Sequence, residues 1–236
     1  QLFNFVKLQV LNLEYNWLDG EIPDYWHVLT DLTQVRLGLN EFNGTIPQQL
    51  GALSNTLRVL WLDSNDLEGT IPWTLGFLSV LQSLFLHRNK LTGPIPRDLK
   101  NLKELKELTL SENRLTSTIP PEISDMTSLF SLYLEDNRLV GPIPSQLSSL
   151  ERLVVLRIFH NDIRTPVPDE ICMARDDPSR SLVWLAADCA VPHDDAMPKG
   201  DGGGGVGGED STTTATTTTT IPTTNAAAAG GATATT

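Results

Sequence analysis

The chain has 236 residues, which is enough for one or two domains with a sizeable core. Its formal net charge of −12 argues against nucleic acid and anionic membrane surfaces as partners, because both attract basic proteins. No segment approaches the roughly 20 consecutive apolar residues that a membrane helix needs, so we expect no membrane segment within this chain.

The first two thirds of the chain repeat one pattern. Each unit contains L-x-x-L-x-L, as in Leu81-Leu84-Leu86, then an asparagine, and later an Ile-Pro or Val-Pro pair, as in Ile95-Pro96. Self-similarity at a fixed period of this length is typical of solenoid proteins. The asparagines recur every 24 residues, and once after 25, at Asn16, Asn40, Asn65, Asn89, Asn113, Asn137 and Asn161.

This pattern resembles the plant-type leucine-rich repeat, L-x-x-L-x-L-x-x-N-x-L-x-G-x-I-P-x-x-L-x-x-L-x-x. The resemblance covers residues 8–172 and implies an α/β solenoid, that is, a leucine-rich repeat horseshoe or superhelix. A parallel β-sheet is expected on its concave face and short helical or 3-10 turns on its convex face. The seven units are residues 8–31, 32–56, 57–80, 81–104, 105–128, 129–152 and 153–172.

The physical chemistry of stacked coils explains the recurring letters. One 24-residue coil cannot bury its apolar face alone, so neighbouring coils share a core. We expect each repeat asparagine to turn inward and bond backbone groups, because an unpaired buried polar group costs about 1–3 kcal/mol. Ser117 and Thr165 stand where the pattern has glycine, so these two bends are either strained or lie at ordinary φ.

The two ends of the repeat array differ. Residues 1–7 read as the remnant of a preceding repeat without a visible cap, which favours a fragment of a longer protein. Residues 173–191 are predicted to form a C-terminal cap, in which LVWLAADC, residues 182–189, supplies an eighth, irregular strand. Cys172 and Cys189 are the only two cysteines and are expected to form a capping disulfide, which resembles the C-caps of extracellular plant and algal repeat proteins. Two reduced, buried thiols are the alternative.

The composition changes near the end of this predicted cap. Residues 192–236 are rich in glycine and threonine, cannot build a core and are expected to be disordered. The threonine density fits an O-glycosylated stalk or an unmodified low-complexity tail. Asn43-Gly44-Thr45 forms an N-glycosylation acceptor, so Asn43 is a candidate glycosylation site, although the same letters arise from the repeat pattern itself.

The variable letters of L-x-x-L-x-L-x-x-N form the candidate binding surface. Positions two, three, five, seven and eight are expected to face solvent from the concave sheet, where large aromatic side chains have no core to fill and are typical of binding hot spots. Trp61 and Phe85 fall on neighbouring strands and should touch. Side chains of both charges surround the aromatic ones. The candidate ligand-binding residues are Trp61, Asp63, Phe85, His87, Arg88, Tyr133, Glu135, Asp136, Arg157, Phe159 and His160.

A structural role for these residues is the alternative. The aromatic side chains could stack along the sheet and shield it. The charged side chains could pair between strands for little net energy. The two interpretations differ in the effect of alanine at Trp61, Phe85 and Tyr133, since a binding surface would lose affinity for its partner and a structural stack would lose stability.

We predict no catalytic, metal or cofactor site in this chain. Glu135 and Asp136 are adjacent in sequence, but no apolar pocket that would raise a carboxyl pKa can be inferred around them. His87 and His160 lie three repeats apart, roughly 15 Å at the strand spacing of a sheet, which is too far to share a metal. An enzyme would need a catalytic domain outside these residues.

We therefore expect a non-catalytic recognition module that binds a peptide, a protein or a polysaccharide through its concave face. The resemblance to plant receptor-like ectodomains and secreted repeat proteins implies an extracellular or cell-surface location. An intracellular repeat scaffold that organises signalling partners is the alternative. The redox state of the two cysteines distinguishes these locations, because disulfides persist mainly in oxidising compartments.

Overall fold

The computed structural model describes residues 5–176 and 184–186. These residues belong to one compact unit that spans residues 1–192, and a second unit, residues 193–236, lies outside the described part. The expected disorder of the C-terminal tail and the position of Cys189 therefore also lie outside the described residues. Within the described part, no helix is long and apolar enough to cross a membrane.

The described chain consists of short strands, 3-10 turns and one α-helix. The strands are β1 (Val10–Asn12), β2 (Asp19–Glu21), β3 (Gln34–Arg36), β4 (Glu41–Asn43), β5 (Val59–Trp61), β6 (Ser83–Phe85), β7 (Thr92–Gly93), β8 (Glu107–Thr109), β9 (Arg114–Leu115), β10 (Ser131–Tyr133), β11 (Val155–Arg157) and β12 (Trp184–Ala186). The 3-10 turns are Trp26–Val28, Gln48–Leu53, Trp73–Phe77, Arg97–Asn101, Pro121–Asp125 and Ser145–Ser149, and helix α1 spans Asp169–Asp176.

Eight of these strands form one parallel sheet in the order β1-β3-β5-β6-β8-β10-β11-β12. The fourth letter of each L-x-x-L-x-L segment pairs with the fourth letter of the next, as Leu60 does with Leu84 and Leu84 with Leu108. Neighbouring coils therefore stack in register, which keeps the same letter on the same face throughout. The predicted solenoid with a parallel sheet is confirmed, and β12 lies where an eighth strand was expected.

A second row of strands, which we call the flanking row, follows the asparagine turns. In this row β2 pairs with β4 and β7 pairs with β9, again in parallel. Isolated bridges between Thr45 and Glu68 and between Thr70 and Thr92 extend the row. Adjacent coils are therefore hydrogen-bonded to each other on the concave sheet and also along this flank.

The core is a column of aliphatic side chains that the recurring letters supply. Leu84 and Leu86 of one coil are fully buried, and so are Leu108 and Leu110 of the next. Burial of one leucine side chain is worth about 1.5–3 kcal/mol, so every coil gains most of its stability from contacts with its neighbours. At the C-terminal end of the described repeats, helix α1 adds the buried side chain of Ile171 to this column.

Each asparagine of the repeat joins two coils through its amide. Asn89 Nδ2 donates to the carbonyl oxygens of Leu62 in the preceding coil and of Leu86 and His87 in its own, at 2.9, 3.2 and 3.3 Å. Asn89 Oδ1 accepts the backbone N–H of Leu67 at 3.0 Å. The expected inward amide is thereby confirmed. The same four bonds recur at Asn40, Asn65, Asn113, Asn137 and Asn161.

The residue before each repeat asparagine has a left-handed backbone. This conformation costs a residue with a Cβ roughly 1–2 kcal/mol, and the bonds of the following asparagine hold it in place. Of the two residues that replace glycine, Ser117 has a φ of 70° and its bend is strained, whereas Thr165 has no positive φ. The left-handed residues have φ between 52° and 57° and are Tyr15, Leu39, Ser64, Arg88, Glu112, Asp136 and His160.

Candidate functional site

One line of side chains runs across the concave sheet, which we call the central row. It consists of the fifth letters of successive L-x-x-L-x-L segments, which pair in register from strand to strand. The alignment of Trp61, Phe85 and Tyr133 along the inside of the array is therefore confirmed. In order, the central row reads Asn12, Arg36, Trp61, Phe85, Thr109, Tyr133 and Arg157.

Three planar groups of the central row stack on one another. The guanidinium carbon of Arg36 lies 4.2 Å from the centre of the Trp61 ring. The Trp61 and Phe85 rings lie 5.0 Å apart with an angle of 2° between their planes, so the predicted contact is confirmed. Trp61 Nε1 donates to Ser83 Oγ at 3.0 Å, which fixes the indole in its orientation. Both faces of Trp61 are thus covered, one by Arg36 and the other by Phe85.

A second stack lies two strands further on. The guanidinium carbon of Arg157 lies 5.2 Å from the centre of the Tyr133 ring. The same guanidinium approaches the carboxylate of Glu135, with 3.7 Å between Arg157 Nη1 and Glu135 Oε1. Thr109 separates the two stacks and is only 9% exposed, and its hydroxyl lies 3.1 Å from His87 Nδ1.

The expectation that the charged position-seven residues face solvent is wrong for Asp63 and Glu135. These side chains are buried, because a longer side chain on the following strand covers each of them. His87 Nε2 lies 3.6 Å from Asp63 Oδ2, and Arg157 covers Glu135 in the same way. On the preceding strand Gly38 leaves room for the aspartate, since a Cβ at that position would lie 2.7 Å from Asp63 Oδ1.

Burial shifts the ionisation of these groups away from their ordinary values. It raises the pKa of Asp63, although His87 nearby lowers it. It likewise raises the pKa of Glu135, which Arg157 opposes in part. Burial lowers the pKa of His87 more than Asp63 raises it, so the imidazole is mainly neutral at pH 7 and adds little positive charge to the sheet.

The remaining candidates lie where the strands end. Arg88 Nε donates to Glu112 Oε1 at 2.9 Å, and His160 Nδ1 lies 2.8 Å from Asp136 Oδ1. Both pairs are exposed and join adjacent coils, as in the pairing alternative, and exposed pairs of this kind contribute at most about 1 kcal/mol. The exposed Phe159 ring packs edge-on against the ring of His160. These residues form the rim of the concave face.

Sequence reasoning missed several residues of this face. Ser83 and Glu107 occupy position three of their segments, two residues before the central row, and Ser83 Oγ lies 3.3 Å from Glu107 Oε2. Position three was expected on this face, since residues two apart on a strand face the same side, but the candidates were chosen at positions five, seven and eight. Arg36 and Thr109 belong to the central row itself but are neither aromatic nor adjacent to other candidates in sequence.

The structure describes only part of the predicted disulfide, and it describes the predicted glycosylation site. Cys172 takes part in a disulfide, but Cys189 is outside the described residues, so their pairing stays a prediction. Asn43 ends strand β4 and is exposed, and its glycosylation stays a prediction. Among the described residues, no cluster of three or more His, Cys, Asp or Glu side chains could hold a metal ion.

The sequence matches known protein families over most of this repeat array. The family models described as "Leucine rich repeat" and "Leucine Rich Repeat" match residues 55–115 and 96–139, and residues 7–29, respectively. The chain is a plant-type leucine-rich repeat protein. It is 40% identical over 65 residues to receptor-like protein kinase BRI1-like 3 of Arabidopsis thaliana, a match that covers 27% of this chain and 6% of that relative.

Solved leucine-rich repeat ectodomains have the same fold. The ectodomain of the Arabidopsis thaliana membrane receptor kinase GASSHO1/SCHENGEN3, in complex with CASPARIAN STRIP INTEGRITY FACTOR 2, is 41% identical with a TM-score of 0.71. That match covers 73% of this chain and 20% of the ectodomain. The Arabidopsis receptor kinase HAESA, in complex with the peptide hormone IDA and the co-receptor SERK1, is 31% identical with a TM-score of 0.72, covering 78% of this chain and 30% of that one.

Proposed function

We propose that this leucine-rich repeat protein is a non-catalytic recognition module whose concave face binds an extended peptide. The observation that carries the proposal is the central row, where Trp61, Phe85 and Tyr133 are partly exposed on a regular parallel sheet. The core lies on the opposite side of the same strands, so these rings are not needed to fill it. Large aromatic side chains in such a position are typical of binding hot spots.

The arrangement of the rings favours a peptide over a polysaccharide. A sugar stacks on an open aromatic face, but both faces of Trp61 are covered by its neighbours. A peptide can use ring edges, charged rim residues and buried polar groups together. The similar GASSHO1/SCHENGEN3 and HAESA ectodomains were solved with CASPARIAN STRIP INTEGRITY FACTOR 2 and with the peptide hormone IDA, respectively, and the second of these supports a peptide ligand for this chain.

An extracellular or cell-surface location is part of the proposal. The disulfide at Cys172 supports it, because disulfides persist in oxidising compartments. The likeness to receptor ectodomains supports it as well. The intracellular scaffold alternative would require reduced cysteines in native material.

The non-catalytic part of the proposal rests on the geometry around His87. Asp63, His87 and Thr109 form a line of polar contacts that superficially resembles a nucleophile with its base. However, the hydroxyl belongs to a threonine that is 9% exposed, and the 3.6 Å between His87 Nε2 and Asp63 Oδ2 is too long for a hydrogen bond. The three residues therefore have a structural role on the sheet.

The test is a matched pair of triple alanine variants. Peptides would first be selected from a random phage-displayed library on the full chain, and their affinity for each variant measured by calorimetry. Replacing Trp61, Phe85 and Tyr133 should weaken binding at least about tenfold, since hot-spot residues each contribute upwards of about 1.4 kcal/mol. The melting temperature should fall by no more than a few degrees.

The control replaces one tryptophan, one phenylalanine and one tyrosine elsewhere. Trp73 and Phe77 lie on a convex 3-10 turn, Tyr25 precedes another, and all three are exposed by about half or more. This control variant should bind the selected peptides as the unaltered chain does. The proposal fails if the control loses binding to the same extent, or if the concave variant unfolds far more easily than the control.

A further inference from the structure

The central row contains one place where stacking is interrupted. Its planar groups face one another at 4.2 Å between Arg36 and Trp61 and at 5.0 Å between Trp61 and Phe85. Tyr133 and Arg157 continue at 5.2 Å on the far side. Between the two stacks, the small side chain of Thr109 is the only member of the row.

The size of this interruption suits one additional planar group. Phe85 and Tyr133 stand two strands apart, which is about 9.6 Å at the usual strand spacing. A planar group inserted midway would lie about 4.8 Å from each ring, similar to the spacings elsewhere in the row. Thr109 would form the floor of this space, which we call the Thr109 slot.

The walls of the Thr109 slot have negative electrostatic character. One face of Phe85 is covered by Trp61 and one face of Tyr133 by Arg157, so the remaining faces border the slot. The face of an aromatic ring carries partial negative charge and attracts cations. His87, which contacts Thr109, adds little positive charge near neutral pH, because burial lowers its pKa.

Two carboxylates lie beside the slot on the strands that form it. Glu107 precedes Thr109 by two residues on β8 and is half-buried on the same face. Glu135 follows Tyr133 by two residues and is 7% exposed. Glu135 Oε1 approaches Arg157, but Glu135 Oε2 is buried and has no hydrogen-bond partner among the described residues. A buried oxygen of this kind is stabilised by a donor, and the described part of the chain does not provide one.

We propose that the Thr109 slot binds the guanidinium group of an arginine in the peptide that occupies the concave face. This inference rests on the proposed function and specifies one residue of the ligand. A guanidinium is planar and cationic, so it can stack between Phe85 and Tyr133, and its five N–H donors can reach carboxylates at its edge. A lysine ammonium has no planar surface to stack, and a neutral aromatic ring supplies no cationic donor to Glu135.

The direct experiment uses small amino-acid derivatives on the full chain. N-acetyl-L-arginine methylamide would be titrated by NMR while the ring signals of Phe85 and Tyr133 are followed. The corresponding N-acetyl methylamide of lysine has the same charge without a planar group, and that of tyrosine has a planar ring without the charge. We expect the arginine derivative to shift both rings and to bind at least fivefold more tightly than either comparison. Equal or tighter binding by the tyrosine derivative would overturn the assignment of a guanidinium.

Variants locate the probe in the slot. Thr109→Trp places a ring in the slot and should abolish the shifts, whereas Thr116→Trp, at an exposed threonine after β9, should leave them unchanged. Tyr133→Leu keeps an apolar wall without a π face and should weaken binding at least threefold, and it stands in if Thr109→Trp does not fold. Glu135→Gln should weaken the arginine derivative and leave the tyrosine derivative unaffected. Unchanged arginine binding in folded Thr109→Trp contradicts the inference.

Failure of the slot and failure of the proposed function give different results. If the arginine derivative does not bind, yet the selected peptides still require Trp61, Phe85 and Tyr133, the slot inference is wrong and the concave recognition face stands. If the arginine derivative binds the slot, yet those peptides ignore the triple alanine variant, the concave peptide site is wrong and the slot stands.

Discussion

The amide of Asn89 shows how a single residue determines the geometry of a whole coil. It makes four hydrogen bonds to backbone groups of two coils. Asn16, at the same place in its own unit, is exposed and donates to the carbonyl oxygens of Leu13 and Glu14 only. The same residue type therefore contributes a different amount to stability according to the burial of its hydrogen bonds.

This difference leads to a prediction for two matched variants. Asn89→Ala leaves several buried backbone groups without partners and should lower the free energy of unfolding by about 3 kcal/mol. Asn16→Ala exposes its partners to water and should lower it by less than about 1 kcal/mol. Urea denaturation measures both values. Equal losses of unfolding free energy in the two variants would mean that the asparagine amides do not hold neighbouring coils together.

The two residues that stand in place of glycine provide a second matched pair. Ser117→Gly removes a left-handed serine at φ 70° and should stabilise the chain by about 1 kcal/mol. Thr165→Gly, at the same place two units further on but without a positive φ, should destabilise it by about 0.5–1 kcal/mol through added freedom of the unfolded chain. Thermal denaturation of both variants checks the signs. A stabilised Thr165→Gly would contradict the assignment of strain to Ser117 alone.

The buried carboxyl of Glu135 makes stability depend on pH in a defined direction. Because burial raises its folded-state pKa above the ordinary value of 4.5, the native state retains the proton to higher pH than the unfolded chain does. Relative to Glu135→Gln, the unaltered chain should therefore lose stability as pH rises from about 4.5 through that raised pKa, and the difference should be constant above it. Urea denaturation of both chains between pH 4 and pH 8 measures the two free energies of unfolding, and a rise in the stability of the unaltered chain relative to Glu135→Gln over this window would contradict the burial argument.

At the scale of the element, the L-x-x-L-x-L segments specify more than the turns between them. Period-two alternation and a repeated length are visible in the sequence, so the strands, their parallel pairing and the alignment of Trp61 with Phe85 are predictable. The burial of Asp63 is not, because it depends on the room left by Gly38 in one coil and the cover supplied by His87 in another. The left-handed residues carry no common letter that would reveal them, since they include Tyr15.

The convex turns impose a packing limit that the sequence alone does not express. A Cβ at Gly76 would lie 2.4 Å from the carbonyl oxygen of Asp98 in the neighbouring turn. Gly76→Ala should therefore lower the free energy of unfolding by at least about 2 kcal/mol, as overpacking does. Gly20→Ala meets nothing within 4 Å but has a φ of 87°, so it should lose about 1 kcal/mol from backbone strain alone. Chemical denaturation checks the order, and a larger loss in Gly20→Ala would contradict it.

At the scale of the described repeats, stability and recognition are assigned to different letters of the same unit. Each coil contacts its neighbours, so the recurring leucines and asparagines stabilise the array by nearest-neighbour packing. That packing fixes the position of each central-row residue on the sheet but does not require a particular side chain there. The sequence therefore predicts where a binding surface lies. The Thr109 slot could not be predicted, because it depends on side chains from five neighbouring strands of the sheet, β5, β6, β8, β10 and β11.

We expect the concave rings, and not the more exposed rings elsewhere, to contact the partner. Hydroxyl-radical footprinting of the full chain, with and without a library-selected peptide, measures this at the level of side chains. We expect reduced oxidation of Trp61, Phe85 and Tyr133 and unchanged oxidation of Trp73 and Phe77. Protection of the convex pair, with the concave rings as reactive as in the free chain, would contradict it.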